Sequence, residues 1–301
     1  MEHDHHHSHA HVVPGRVTNA LITGIVLNML FVVIEAISGL YTHSLSLLTD
    51  AGHNLSDVAS LALALLANKL AAKKANDQFS FGYRQSTVLV SLINAGILLF
   101  ALGAIAYEAI LRINEPHKVE GGLVAIIAGV GIVINAFTAL LFFKDKEKDI
   151  NVKGAYLHMA SDALVSLGVV LTGVMMIYTQ WFWLDTVVSL IIVVVIVAGT
   201  WGLLKESLRL TLNGVPKDVN LNEVRMYLQS MEGVSNVHDL HVWAISTTEV
   251  ALTVHLVIPP NQQQTFSHHR ISHELQNRFH VTHTTIQVET SEEDKLCEQK
   301  C

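Results

Sequence analysis

Charged residues are scarce in this chain. They make up 15% of its 301 residues, whereas apolar residues make up 50%. This balance excludes an ordinary soluble protein and indicates an α-helical membrane protein. The formal net charge of −7 includes no basic excess, which argues against a nucleic-acid partner.

Several familiar signals are also missing. The N-terminus, MEHDHHHSHAH, is not a basic stretch followed by a short apolar core, so a cleavable signal peptide is not expected. An H-E-x-x-H motif is absent, and we therefore do not expect a membrane metalloenzyme. Cysteine occurs only as Cys297 and Cys301. In a reduced cytoplasmic tail these thiols are either metal ligands or part of a solvated segment.

Long apolar runs dominate residues 17–206. Five blocks approach the roughly 20 residues needed to cross a bilayer, at about 17–41, 86–111, 122–143, 155–179 and 182–204. Residues 44–70 form a sixth span only if Asp50, His53 and Asp57 are accepted within the membrane. Ionisable side chains are costly there and indicate a functional site. The sequence thus predicts six transmembrane helices.

The distribution of Lys and Arg predicts the orientation. Most basic residues follow the second, fourth and sixth spans, and only Arg112 and Lys118 lie on the other side. By the positive-inside rule both termini are cytoplasmic. Residues 1–16 then form a cytoplasmic His-rich arm that is either a metal scavenger or a dispensable disordered segment.

Residues 207–301 have the composition of a small soluble domain. Their patterns predict helix, strand, strand, helix and strand, which indicates an α/β sandwich with helices on one face of a sheet. A domain of this size often gains stability by pairing with a second copy of itself.

An H-x-x-x-D motif occurs twice, as His53 with Asp57 and as His158 with Asp162. Four residues make about one helical turn, so each pair lies on one face of its helix. If the faces meet, two imidazoles and two carboxylates form the tetrahedron that Zn²⁺ accepts, and the carboxylates neutralise the ion. The alternative is polar contact between helices. Asp50 is either an entry ligand or proton acceptor, or a local cap.

The ordered motifs resemble the cation diffusion facilitator family, in its zinc-transporting branch. They are the two H-x-x-x-D pairs, FGYRQ, NVKGAYLHMASD and GVSNVHDLHVWAI. The resemblance implies a homodimer with cytoplasmic ferredoxin-like domains that exports Zn²⁺ in exchange for protons by alternating access. It assigns the transport site to His53, Asp57, His158 and Asp162. Relatives with Asp in place of the first His are associated with manganese or iron, and His in both motifs agrees with zinc or cadmium. The sequence leaves the preference among zinc, cadmium and cobalt open.

The resemblance further implies a regulatory zinc site formed by His238, His255 and Glu289, which could equally be ordinary edge or interface residues. Because His238 and His241 lie three apart, strand alternation predicts that only one of them joins His255. Arg84 stands where relatives carry an interface His whose partner would be His283.

The expected protein is a multi-pass transporter, and the compact loops suggest a bacterial inner membrane. A membrane-embedded zinc sensor without transport is the alternative.

Overall fold

A computed structural model describes residues 15–113, 117–143, 150–260, 262 and 267–290. Six long helices come first and a small α/β domain follows. The elements are α1 (Gly15–Thr42), α2 (Leu45–Ala71), α3 (Ser86–Arg112), α4 (Gly121–Phe143), α5 (Ile150–Thr179), α6 (Trp183–Thr211), α7 (Leu221–Gln229), β1 (Asn236–Ala244), β2 (Val250–Val257), α8 (His268–Phe279) and β3 (Val281–Glu289). Contacts between Cα atoms divide the described residues into two compact units, 15–59 with 97–199, and 60–96 with 200–290.

Four of the described helices are long and apolar enough to cross a membrane. The spans are Ser86–Arg112, Gly121–Leu140, Tyr156–Thr179 and Trp183–Thr211, and Val26–Thr42 is a shorter apolar stretch. Helix α2 is 27 residues long, but Asp50, His53 and Asp57 lower its hydropathy. Length and composition therefore support a helical membrane protein, and the count of six spans stays a prediction.

Helices α4 and α5 of the first unit pack closely because glycines line their contact. A Cβ atom on Gly173 would lie 2.7 Å from the backbone nitrogen of Ala125, and one on Gly121 would lie 2.6 Å from the carbonyl oxygen of Gly173. Small residues let helix backbones approach in this way within a membrane. The contact fixes the position of α5, which carries the second H-x-x-x-D motif.

The N-terminus of α2 is capped by Asp185, a buried residue in the first turn of α6. Its carboxylate accepts hydrogen bonds from the backbone nitrogens of Leu45 (2.6 Å) and Ser46 (3.3 Å). The hydroxyls of Ser44 (2.6 Å) and Ser46 (2.5 Å) donate to the same carboxylate. These bonds satisfy donors that a helix start leaves free. Asp185 therefore fixes the end of the helix that carries the first motif.

The C-terminal part contains a three-stranded sheet in the order β1-β2-β3. Strands β1 and β2 are antiparallel, and β2 and β3 are parallel. Helix α7 buries Val224 and Leu228, and α8 buries Ile271, Leu275 and Phe279. These side chains join the inward faces of the strands in one apolar core. The predicted order of helices and strands is the order found.

Within the second unit, the first turn of α3 and the residue Arg84 just before it contact the turn between β1 and β2. Arg84 Nη1 lies 2.8 Å from Glu249 Oε1, and the Thr247 backbone nitrogen donates to Thr87 Oγ1 at 3.1 Å. The charged pair is half-exposed, at 47% and 33% of the two side chains. Solvent screening therefore limits what the ion pair contributes to stability.

Reversing one charge of this pair should loosen the contact only slightly. We expect Arg84→Glu or Glu249→Arg to destabilise it by less than about 1 kcal/mol, and the double reversal to restore it. Hydrogen exchange of the β1–β2 turn in the four proteins measures this coupling. Equal exchange in all four would show that the pair contributes nothing.

Candidate metal centres

The two H-x-x-x-D motifs meet in the first unit. His53 Nε2 lies 3.7 Å from Asp57 Oδ2 in its own motif and 3.5 Å from Asp162 Oδ1 in the other. His158 Nε2 lies 3.2 Å from Asp57 Oδ2 and 3.7 Å from Asp162 Oδ2. Each imidazole thus faces both carboxylates. The structure brings together the four side chains that the sequence singled out, with α2 and α5 supplying one pair each.

The polar atoms of this group suit a divalent cation. Asp162 is 1% exposed, so its carboxylate has been almost completely removed from solvent. Asp57 Oδ2, Asp162 Oδ2 and His53 Nδ1 are buried without a hydrogen-bond partner among the described residues. Ligand atoms of His53, Asp57 and Asp162 all lie within 4.8 Å of one another. Two nitrogens and two oxygens match the donors that Zn²⁺ takes, and they leave the filled site neutral.

Further polar side chains lie beside this group. Asp50 accepts a hydrogen bond from Ser166 Oγ of α5 at 2.9 Å, so its contact runs between helices and not to a local cap. Glu35 of α1 accepts from Asn54 Nδ2 at 3.2 Å. Asp50, Asn54 and Glu35 are fully buried. These hydrogen bonds join α1 to α2 and α2 to α5 beside the four side chains.

A second group of metal-ligand side chains lies on the C-terminal sheet. Glu289 of β3 approaches His238 of β1, with 2.9 Å from Oε2 to Nε2, and His255 of β2, with 2.9 Å from Oε1 to Nδ1. Glu289 is 6% exposed. The ligand atoms of these three residues lie within 4.8 Å of one another. One side chain from each strand therefore contributes to a compact group that could hold a divalent ion.

A bulge in β1 extends this second group and corrects one expectation. His238 pairs with His255, but His241 pairs with Thr253, so β1 has one more residue here than β2. Since Thr253 and His255 share a face, the extra residue puts His241 on the face of His238, so strand alternation does not separate the two histidines. Of the two, His238 has its ligand atoms within 4.8 Å of those of His255 and Glu289, as expected for one of them. Asp239, which has φ of 50°, lies at the bulge between the stretch of β1 that ends at His238 and the stretch that resumes at His241. Its oxygens lie 2.9 Å from His241 Nε2 and 3.4 Å from His255 Nε2.

Sequence reasoning did not select Asp239. Its only sequence signal is its place between two histidines in VHDLH, because the bulge that directs its carboxylate is not visible in the strand pattern.

The remaining residues singled out in the sequence either fall outside the described residues or make other contacts. Cys297, Cys301 and the His-rich segment of residues 1–14 lie outside the described residues. Arg84 is paired with Glu249. The ring of His283 packs edge-on against Phe81, with 5.5 Å between centroids.

Comparisons with known proteins match nearly the whole chain. The model of the cation efflux transmembrane domain matches residues 21–211, and that of the cation efflux protein cytoplasmic domain matches residues 216–291. A relative from Bacillus subtilis (strain 168), named "Cadmium, cobalt and zinc/H(+)-K(+) antiporter", is 36% identical over 90% of this chain and 89% of its own length. A relative from Escherichia coli (strain K12), named "Zinc transporter ZitB", is 33% identical over 96% of this chain and 93% of its own length.

A similar solved structure is the "Metal-bound C-terminal domain of the CzcD transporter from Cuprividus metallidurans". It is 35% identical and covers 24% of this chain and 99% of its own, with a TM-score of 0.22.

Proposed function

Because the chain belongs to the cation efflux family of metal transporters, we propose that it exports Zn²⁺ in exchange for protons through the four-residue group on α2 and α5. The observation that carries the proposal is that His53, Asp57, His158 and Asp162 converge from two helices. Each His has both carboxylates within 4 Å. The family moves cations, and the chain is not an enzyme.

Exchange for protons follows from the chemistry of the ligands. Imidazole titrates near physiological pH, and a zinc ligand must be deprotonated, so metal and protons compete for the same nitrogens. A proton arriving from the far side helps to release the ion. Transport additionally requires that the site open to each side in turn, as in other membrane antiporters.

The donor set also bears on the choice of ion. Two imidazoles favour borderline metals such as Zn²⁺, Cd²⁺ and Co²⁺ over the hard cations that prefer oxygen ligands alone. The names of the relatives from Bacillus subtilis and Escherichia coli include zinc, and the first also includes cadmium and cobalt. Zn²⁺ is accordingly the proposed main substrate, with cadmium and cobalt as the other candidates.

The proposed topology has six transmembrane helices and cytoplasmic termini in a bacterial inner membrane. Helices α1 and α2 supply the two spans beyond the four most apolar ones. The match of residues 216–291 to a cytoplasmic domain model supports a cytoplasmic C-terminal part. We propose a ferredoxin-like domain there that pairs with a second copy of the chain.

We further propose that His238, His255 and Glu289 hold a regulatory zinc ion. Glu289 contacts both histidines, and His241 and Asp239 lie on the same face. Because this group belongs to the C-terminal sheet, it is separate in sequence from the transport ligands.

His238→Ala should lower zinc flux only partly, since it removes one ligand of the regulatory ion and leaves α2 and α5 unchanged. Flux against zinc concentration in proteoliposomes measures the effect. Exposed His280 provides the matched substitution, His280→Asn, which should leave flux unchanged. Complete loss of flux in His238→Ala would contradict a purely regulatory role.

Zinc uptake into proteoliposomes with an imposed pH gradient tests the main proposal. We expect uptake with the gradient and much less after a protonophore collapses it. A zinc sensor would bind zinc in the same preparation and show no uptake under either condition. Uptake that does not depend on the gradient would contradict proton exchange but would leave zinc transport itself intact.

A further inference from the structure

We infer that His269 and His273 on the outer face of α8 form an additional binding site for borderline divalent metal ions, separate from both groups described above. The two histidines are four residues apart and both are exposed. Their rings stack with 6.5 Å between centroids and an angle of 12°. The inference does not depend on transport.

Helix geometry makes this pair a chelate. Residues four apart on a helix are neighbours, with about 5–6 Å between Cβ atoms. Two histidines at this spacing are a recognised arrangement for binding zinc from one helix face. The opposite face of α8 is anchored in the core by Ile271, Leu275 and Phe279. The backbone beneath the two histidines is therefore held in place before an ion arrives.

A third polar side chain continues the same row. Asn277 is exposed one turn after His273, and its Nδ2 lies 3.1 Å from Nδ1 and 3.3 Å from Nε2 of that ring. An amide also carries an oxygen acceptor, so rotation of Asn277 can present a third ligand atom. Water completes the coordination of an exposed ion. Such a site binds more weakly and exchanges faster than the four-ligand group.

The cationic side chains of α8 lie on another side of the helix. Arg270 and Arg278 line a cavity of about 360 Å³ together with Tyr227 and Glu274. The guanidinium of Arg278 lies over the ring of Tyr227, 4.7 Å from its centroid. The Arg278 charge is therefore held against the aromatic ring of α7. The Arg278 guanidinium therefore does not occupy the side of the helix on which His269 and His273 would bind a cation.

Residue-resolved histidine modification tests the site in the full chain. Purified protein is treated with diethyl pyrocarbonate with and without Zn²⁺, and the modification rate of each histidine is read by peptide mass spectrometry. A metal-bound imidazole nitrogen cannot be acylated, so the rates at His269 and His273 should fall about tenfold when the site is about 90% occupied. Exposed His280 serves as the internal control and should react at the same rate with and without zinc.

The pairing is tested by removing one ligand. In His273→Gln, zinc should no longer protect His269, and in His269→Gln it should no longer protect His273. Gln276→Ala, an exposed substitution on the same helix, should leave protection of both histidines intact. The inference is overturned if neither histidine is protected in the unmodified protein, or if His269 stays protected in His273→Gln. Because all these positions are exposed, the variants retain the core of the domain.

Discussion

Asp162→Asn should abolish zinc transport while the protein stays folded. Asp162 is the most deeply buried of the four proposed ligands, and its two oxygens face His53 and His158. The amide that replaces it is a weaker ligand and carries no charge. The filled site would then keep an unbalanced positive charge in a buried position, which is costly. We expect flux to fall by more than about 100-fold. Losing a residue that only hydrogen-bonds to a metal ligand already lowers metal affinity or activity by about 10–100-fold.

Zinc flux and thermal unfolding should be measured together on this variant. The matched control is Ser161→Ala, one residue away, where an exposed hydroxyl donates to the backbone oxygen of Leu157 at 3.0 Å. It should transport at nearly the normal rate. Normal flux in Asp162→Asn would contradict a transport site formed by the two H-x-x-x-D motifs. If the variant loses flux because it unfolds, the same test is made on Asp57→Asn.

Asp185→Ala should strongly destabilise the protein and impair transport although Asp185 is not among the proposed ligands. The change removes the buried acceptor of the backbone nitrogens of Leu45 and Ser46 and of the hydroxyls of Ser44 and Ser46. One of the two hydroxyls can still donate to the other, which lies 3.2 Å away. Leaving such donors unsatisfied costs about 1–3 kcal/mol each, and loss of a helix cap adds to this cost. Helix α2 would lose its fixed N-terminus, and His53 and Asp57 would lose part of their positioning.

The measurements are the thermal unfolding midpoint and zinc flux per folded molecule. Asp185→Asn keeps one acceptor oxygen and should fall between the wild type and Asp185→Ala in both. The control is Asp77→Ala, which removes an exposed carboxylate and should change neither. A wild-type unfolding midpoint in Asp185→Ala would show that the cap does not stabilise α2.

The four-residue group on α2 and α5 was predictable from the sequence because each motif is defined by residues close together in the chain. A four-residue spacing within a helix fixes which side chains share a face, and ionisable residues inside apolar segments stand out by their cost. The contacts that position α5 against α2 could not be predicted from the sequence. They include close helix contacts, such as the one at Gly121 and Gly173, and distant polar bonds such as Asp50 with Ser166.

The second group was predictable only in part. Helical and strand periodicity gave the order of elements from α7 to β3, and the resemblance selected one residue on each strand. Alternation failed at the bulge, where Asp239 takes a positive φ that puts His241 on the same face as His238. A bulge is a property of the pairing between two strands. For that reason the strand sequence alone did not reveal Asp239 as a neighbour of His255.

Locating bound zinc by anomalous diffraction from crystals of the full chain would test the central claim most directly. The account predicts a zinc peak with ligand distances of about 2.0–2.2 Å to atoms of His53, Asp57, His158 and Asp162. Peaks on the C-terminal sheet or on α8 are compatible with that result. Zinc bound at those places with no peak between α2 and α5, at saturating zinc, would contradict the account.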